Sequence, residues 1–157
     1  MNGTSNGAKA SNTADREIVA TRIFDAPREL VFDMWTDPKH IARWWGPSGF
    51  RLTIHEMNVK PGGEWRFIMH GPDGRDYQNK NVYVEIMRPQ RIVFDHVSGP
   101  IFRMTATFEE QGNKTRLTVH MLFETAELRE KTIMEFGAVE GLNQTLGRLG
   151  EELAKAR

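Results

Sequence analysis

The chain has no cysteine among its 157 residues. Disulfides, thiol nucleophiles and cysteine-ligated zinc are therefore excluded, and the absence suits a reducing cytosol. No apolar run approaches the ~18 residues needed to span a bilayer. The N-terminus lacks the charged stretch and apolar run of a signal peptide, so the expected location is the cytoplasm, away from any membrane. Charge of one sign is missing too. Twenty-one Lys and Arg balance twenty-one Asp and Glu, with no basic run to form a non-specific nucleic-acid surface. His40, His55, His70 and His120 show neither H-x-H nor H-E-x-x-H spacing, so no metal site is expected. No phosphate loop and no Ser-centred nucleophile elbow is present, and no cofactor is implied.

What is there is apolar patterning: 39% of the residues are hydrophobic and 10% aromatic, ordinary for one globular domain of this length. Residues 1–14 are small and polar without periodicity and are expected to be a disordered leader, leaving a single domain over 15–157. A strand is expected from Asp15 to Phe24. Pro27 then opens a helix with Leu30, Val31, Met34 and Trp35 on one face. Asp37-Pro38 caps a second short helix that ends in Trp44-Trp45-Gly46-Pro47. Two adjacent indoles are too much apolar surface for a solvent-facing loop. Trp44, three residues after Ile41, is expected to pack, and Trp45 to border a cavity.

The next stretch reads as six antiparallel strands. Phe50, Leu52 and Ile54 alternate in one phase and Met57 and Val59 in the other, which predicts a bulge near His55-Glu56. Trp65, Phe67 and Met69 form the apolar face of the following strand, and a long strand runs from about Arg75 to Met87. Short turns at Pro89-Gln90, Ser98–Pro100 and Gly112-Asn113 join the remaining strands. The alternation is cleanest over Phe102–Phe108 and Leu117–Phe123. From Thr125 the period becomes helical, with a short helix to Phe136. A long helix follows, with Ala138, Leu142, Thr145, Leu146, Leu149 and Leu153 along one stripe. Its glycines, Gly141, Gly147 and Gly150, suggest either close backbone approach to another surface or neutral drift on a helix well held by packing. Helices segregated from an antiparallel sheet make an α+β fold. The apolar face of the sheet must bury the apolar stripe of the last helix.

Turn lengths set the expected register. They place Phe108 opposite Leu117, Ala106 opposite Val119, Met104 opposite Met121, His96 opposite Phe102 and Phe94 opposite Met104. A two-residue turn at Pro89-Gln90 would set Tyr83 opposite His96 and Glu85 opposite Phe94. This register puts Tyr83, Glu85 and His96 together on an apolar face, as candidates for orienting a ligand or for acid–base chemistry. The alternative phase sends Tyr83 and Glu85 to solvent and turns Val82, Val84 and Ile86 inward.

Several stretches together resemble a known superfamily. They are Asp25-Ala26-Pro27-Arg28-Glu29-Leu30-Val31-Phe32, Trp35-Thr36-Asp37-Pro38, Trp44-Trp45-Gly46-Pro47, Pro61-Gly62-Gly63-Glu64-Trp65-Arg66-Phe67, His70-Gly71-Pro72-Asp73-Gly74 and Pro89-Gln90-Arg91-Ile92-Val93. The chain resembles the START-like (SRPBCC) helix-grip superfamily, and within it the branch related to the activator of the heat-shock-protein-90 ATPase. The resemblance runs from about Arg16 to Leu149. It implies a helix-grip fold: a curved antiparallel sheet wrapped around a long C-terminal helix, with two short helices between the first two strands and an apolar cavity inside. It also implies binding of, or action on, small hydrophobic molecules, and carries no universal catalytic residues. Members often have Gly-Trp early in the last helix where this chain has Gly141-Leu142, which would reshape the pocket.

Three readings of function follow. In the first, a small hydrophobic ligand binds in a cavity lined by Trp45, Trp65, Phe67, Met69, Phe94, His96, Met104, Met121, Phe136, Leu142 and Leu146. In the second, an enzyme uses the same cavity, with Glu85, His96 and Tyr83 as its polar groups. The third is an interaction module that stimulates a chaperone ATPase. It is the least favoured, because the extra domain of true co-chaperones is missing from this sequence. Homodimerisation is compatible with all three.

Overall fold

The structure, a computed structural model, describes residues 13–156. The leader expected over 1–14 therefore lies outside the described residues, except for Thr13 and Ala14. Thr13 hydrogen-bonds the Glu17 carboxylate, and a single 3-10 turn over Ala14–Arg16 leads into the first strand.

Seven strands form one antiparallel sheet: β1 (Glu17–Phe24), β2 (Arg51–Met57), β3 (Glu64–His70), β4 (Asp76–Met87), β5 (Arg91–His96), β6 (Phe102–Gln111) and β7 (Lys114–Phe123). Their order across the sheet is β1-β7-β6-β5-β4-β3-β2. Strands β2 to β7 are thus a meander, and β1 closes its far side by pairing with β7. Among the described residues four α-helices accompany the sheet: α1 (Arg28–Thr36), α2 (Pro38–Trp44), α3 (Ala126–Phe136) and α4 (Ala138–Lys155). The sheet curves around the long α4, and the two short helices sit between β1 and β2. This is the helix-grip α+β architecture.

Local chemistry explains the helix boundaries. Pro27 cannot continue a ladder, and its carbonyl accepts from Leu30 N and Val31 N to start α1. One stripe of α1 buries Val31, Phe32, Met34 and Trp35. The Asp37 carboxylate accepts from Lys39 N at 2.8 Å, with Pro38 in the first helical position of α2. The indole of Trp44 is fully buried and donates to Met34 O at 3.0 Å, so the two short helices are locked to each other. Gly46, at φ +105°, then turns the chain out of α2 in a conformation side chains disfavour. The Thr125 hydroxyl caps α3 by accepting from Leu128 N. One left-handed residue, Gly137 (φ 60°), ends α3 and begins α4.

The expected pairings on β6–β7 and β5–β6 are those observed. The bulge expected near His55-Glu56 falls between Ile54 and Glu56. The β4–β5 pairing differs. Tyr83 stands opposite Phe94, Asn81 opposite His96, and Glu85 opposite Val93. Two single-residue effects produce this. The Arg88–Gln90 turn is one residue longer than expected, with Met87 paired to Arg91, and a bulge at Val84 adds a second residue to β4. Each one-residue slip reverses the faces, so the side of the bulge decides the direction of every side chain on β4.

Candidate functional site

Before the bulge, Asn79, Asn81 and Tyr83 face the inside of the sheet. After it Ile86, opposite the buried Ile92, takes the inner side. Glu85 is on the outer face, where its carboxylate accepts from Arg91 Nε at 2.7 Å and Nη2 at 3.1 Å. That pair holds the Glu85 carboxyl below the usual carboxylate range. The expected Tyr83-Glu85-His96 group is therefore not assembled. The alternative phase also fails as a whole, because Val84 is outward and half-exposed while Tyr83 is 2% exposed. The Pro61-Gly62-Gly63 turn holds this part of β4 in place. Gly62 N donates to Tyr83 O at 2.8 Å, and Tyr83 N donates to Gly63 O at 2.9 Å.

A cavity of about 840 Å³ lies between the inner face of the sheet and the helices. The sheet supplies Phe67, Met69, Asn79, Asn81, Phe94, His96, Phe102, Met104 and Met121. The helices supply Thr132, Glu135 and Phe136 from α3, and Ala138, Gly141, Leu142 and Thr145 from α4. The exit of α2 supplies Trp45, Gly46 and Pro47, with Phe50 beside them. Of the residues expected to line a cavity, Trp45, Phe67, Met69, Phe94, His96, Met104, Met121, Phe136 and Leu142 are in this wall. Trp65 and Leu146 are not: each is 1% exposed and part of the packed core. Trp65 is sandwiched in the sheet's aromatic layer, stacked on Phe67 at 4.6 Å and set edge-on to Trp45 at 5.0 Å.

The α2 exit is fixed by one side chain of α4. Arg148 Nη1 donates to Gly46 O at 2.9 Å and to Pro47 O at 3.0 Å. Its Nη2 donates to Arg43 O at 3.1 Å. The guanidinium thus caps the orphan carbonyls at the end of a short helix, at the cost of partial burial that pulls its pKa down. Trp45 is held on the same segment and packs edge-on against Trp35, Trp44 and Phe94 as well as Trp65.

The wall is not wholly apolar: Arg75, Asp76, Tyr77 and Gln78 line it at the start of β4, Glu135 lines it on α3, and Asn79, Asn81 and His96 line it within the sheet. His96 Nδ1 donates to Pro100 O at 2.7 Å, and Nε2 faces Asn79 Oδ1 at 2.7 Å and Ser98 Oγ at 3.4 Å. Burial pulls the His96 pKa below 6.5, opposed by the Pro100 contact. A neutral ring then carries its proton on Nδ1 and leaves Nε2 as an acceptor for the Ser98 hydroxyl, and the 2.7 Å contact with Asn79 is then a hydrogen bond only with that amide turned to present Nδ2. Thr132 and Thr145 satisfy their hydroxyls within their own helices, on Leu128 O and Gly141 O. Asn81 does not: it is 1% exposed, and neither Oδ1 nor Nδ2 has a hydrogen-bond partner. The Tyr83 hydroxyl, deeper on the same strand face, is also without one, and burial pushes its pKa up. A buried polar group left unpaired costs about 1–3 kcal/mol. Asn81 was not among the residues expected in the wall. Its signal was present, in a strand where the polar phase Asn79-Asn81-Tyr83 faces in and Val82-Val84 faces out, against the usual pattern.

Among the described residues no group of three or more His, Asp or Glu could hold a metal ion. No helix among them is long and apolar enough to cross a membrane.

Residues 25–154 match the family model described as Activator of Hsp90 ATPase homolog 1-like protein. No curated protein matches the sequence. Among solved structures, a protein from Arthrobacter aurescens is 25% identical with a TM-score of 0.84, covering 91% of this chain and 88% of its own. A protein from Nitrosomonas europaea is 21% identical at TM-score 0.82, covering 92% and 97%. A Silicibacter pomeroyi protein described as AHSA1 is 21% identical at TM-score 0.73, covering 90% and 99%. The last two likenesses are of fold.

Proposed function

The chain belongs to the family of Activator of Hsp90 ATPase homolog 1-like proteins, and from that membership and its cavity we propose that it binds a small, largely apolar molecule between the sheet and α4. The observation that carries this reading is the composition of the wall. Trp45, Phe67, Met69, Phe94, Phe102, Met104, Met121 and Leu142 surround about 840 Å³, within the range of small-ligand sites. Aromatic rings give fixed, flat contact area, and the methionines adapt to irregular shapes. The acid–base alternative loses its carboxylate, since Glu85 is bound to Arg91 on the outer face.

Native mass spectrometry of the protein purified under non-denaturing conditions tests the proposal. The expected result is a small-molecule adduct that leaves on denaturation. Trp45→Ala should weaken retention of that molecule by about tenfold or more, the usual cost of truncating a central aromatic anchor. A protein that carries no adduct and takes up no apolar probe in calorimetry would count against the reading.

A further inference from the structure

Asn81 combines two properties that no other described residue shares: it lines the cavity and its polar side-chain atoms are buried without partners. The other buried orphans, on Arg28, Trp35, Trp65 and Tyr83, are outside the cavity wall. A carboxamide presents a donor and an acceptor side by side, and here both are unused. The complementary group also has an acceptor and a donor side by side. It must be neutral as well, given what surrounds Asn81. Its cross-strand partners are Trp65 and His96, its neighbours on the same strand face are Asn79 and Tyr83, and burial favours the uncharged form of His96. None of these offers a countercharge to a carboxylate or an ammonium, and the charged residues of the wall, Arg75, Asp76 and Glu135, are not among the strand neighbours of Asn81.

We infer that the molecule held in the cavity carries a neutral carboxamide or lactam edge, whose carbonyl accepts from Asn81 Nδ2 and whose N–H donates to Asn81 Oδ1. The apolar body of the molecule then extends along the aromatic and methionine wall toward Trp45. This deepens the proposed function and rests on the cavity being a binding site.

Calorimetry with three probes sharing one apolar body tests it: naphthylacetamide, methyl naphthylacetate and the naphthylacetate anion, at near-neutral pH. The wild-type protein should bind the amide about tenfold tighter than the ester or the anion, which is what the one hydrogen bond to Asn81 Oδ1 that neither can donate contributes in a buried site. Asn81→Leu, which keeps the branched outline in a larger side chain, should bring amide and ester within about twofold of each other, the amide losing both contacts to Asn81 and the ester one. Its melting temperature should not fall, because an unpaired polar group has been replaced by an apolar one. Asn81→Ala gives the same comparison in a smaller side chain should the leucine overpack. Equal binding of amide and ester by the wild type would overturn the role of Asn81 and leave the cavity reading standing. Tightest binding of the anion would overturn the neutral class. Binding of none of the three would remove the cavity reading and this inference with it.

Discussion

His96 is pulled in two directions by its surroundings. Pro100 O on Nδ1 and Asn79 Oδ1 on Nε2 would both suit a doubly protonated ring, whereas burial favours the neutral one. Burial is the larger effect, so the folded-state pKa lies below 6.5 and the unfolded chain takes up the proton first. Stability is therefore full above 6.5 and falls as pH drops from there through the lower folded value. The pH dependence of unfolding should show this. Between about pH 7.5 and about pH 5.5, the loss of melting temperature should be smaller in His96→Gln than in the wild type. An equal loss in both proteins would mean that His96 does not titrate between those limits. His96 was readable from the sequence as an inward residue, because its strand alternates with Phe94 and Ile92. The inward phase of Asn81 was readable with that of Tyr83 two residues on, but its lack of partners was not, since nothing in a single sequence says that an asparagine will be denied them. That depends on what stands opposite, and the opposing residue depends on the bulge.

At the scale of elements, strands joined by short, regular turns were legible and the strand carrying a bulge was not. The Gly112-Asn113 hairpin and the Ser98–Pro100 turn gave the observed registers, because one length fixed each pairing. On β4 the longer Arg88–Gln90 turn and the extra residue at Val84 slip the register in the same direction, one residue each, which restores the face but not the partner. Tyr83 was therefore placed on the correct face, but opposite the wrong residue. The bulge near Ile54 was visible only because the apolar phase changed with it. Of the two readings of the helix glycines, the neutral one fits Gly147 and Gly150. A Cβ at Gly147 would meet nothing nearer than Arg22 Nη1 at 3.7 Å, and at Gly150 nothing nearer than Phe24 at 3.4 Å. Close approach does not require glycine there. Gly147→Ala should then raise unfolding free energy by about 0.5–1 kcal/mol through helix propensity. Gly63 is the opposite case: a Cβ there would stand 2.0 Å from Asn58 O, in the turn that holds the Tyr83 backbone. Gly63→Ala should cost about 2–4 kcal/mol, and chemical denaturation of the two variants measures both effects.

For the whole molecule, the sheet and α4 were predictable from their apolar faces, and the family likeness agreed with that arrangement. The border between packed core and open wall was harder to read. Trp65 and Leu146 have the same sequence character as Phe67 and Leu142, but three-dimensional curvature places the first pair in the core and the second beside the cavity. The contact made by Arg148 bears on how such a molecule would exchange its contents. By holding carbonyls of Arg43, Gly46 and Pro47 together, it makes the Trp45 side of the cavity a fixed jaw that moves only with α4. The opposite rim lies where α3 meets α4 at Gly137, and Phe136 there is 61% exposed. A lysine ammonium is a point donor on a flexible stem and cannot span the same three carbonyls as a guanidinium fork. In stopped-flow measurements Arg148→Lys should speed both uptake and release of a naphthyl probe, with little change in their ratio. Residence time, more than affinity, is then the quantity that substitution is expected to change.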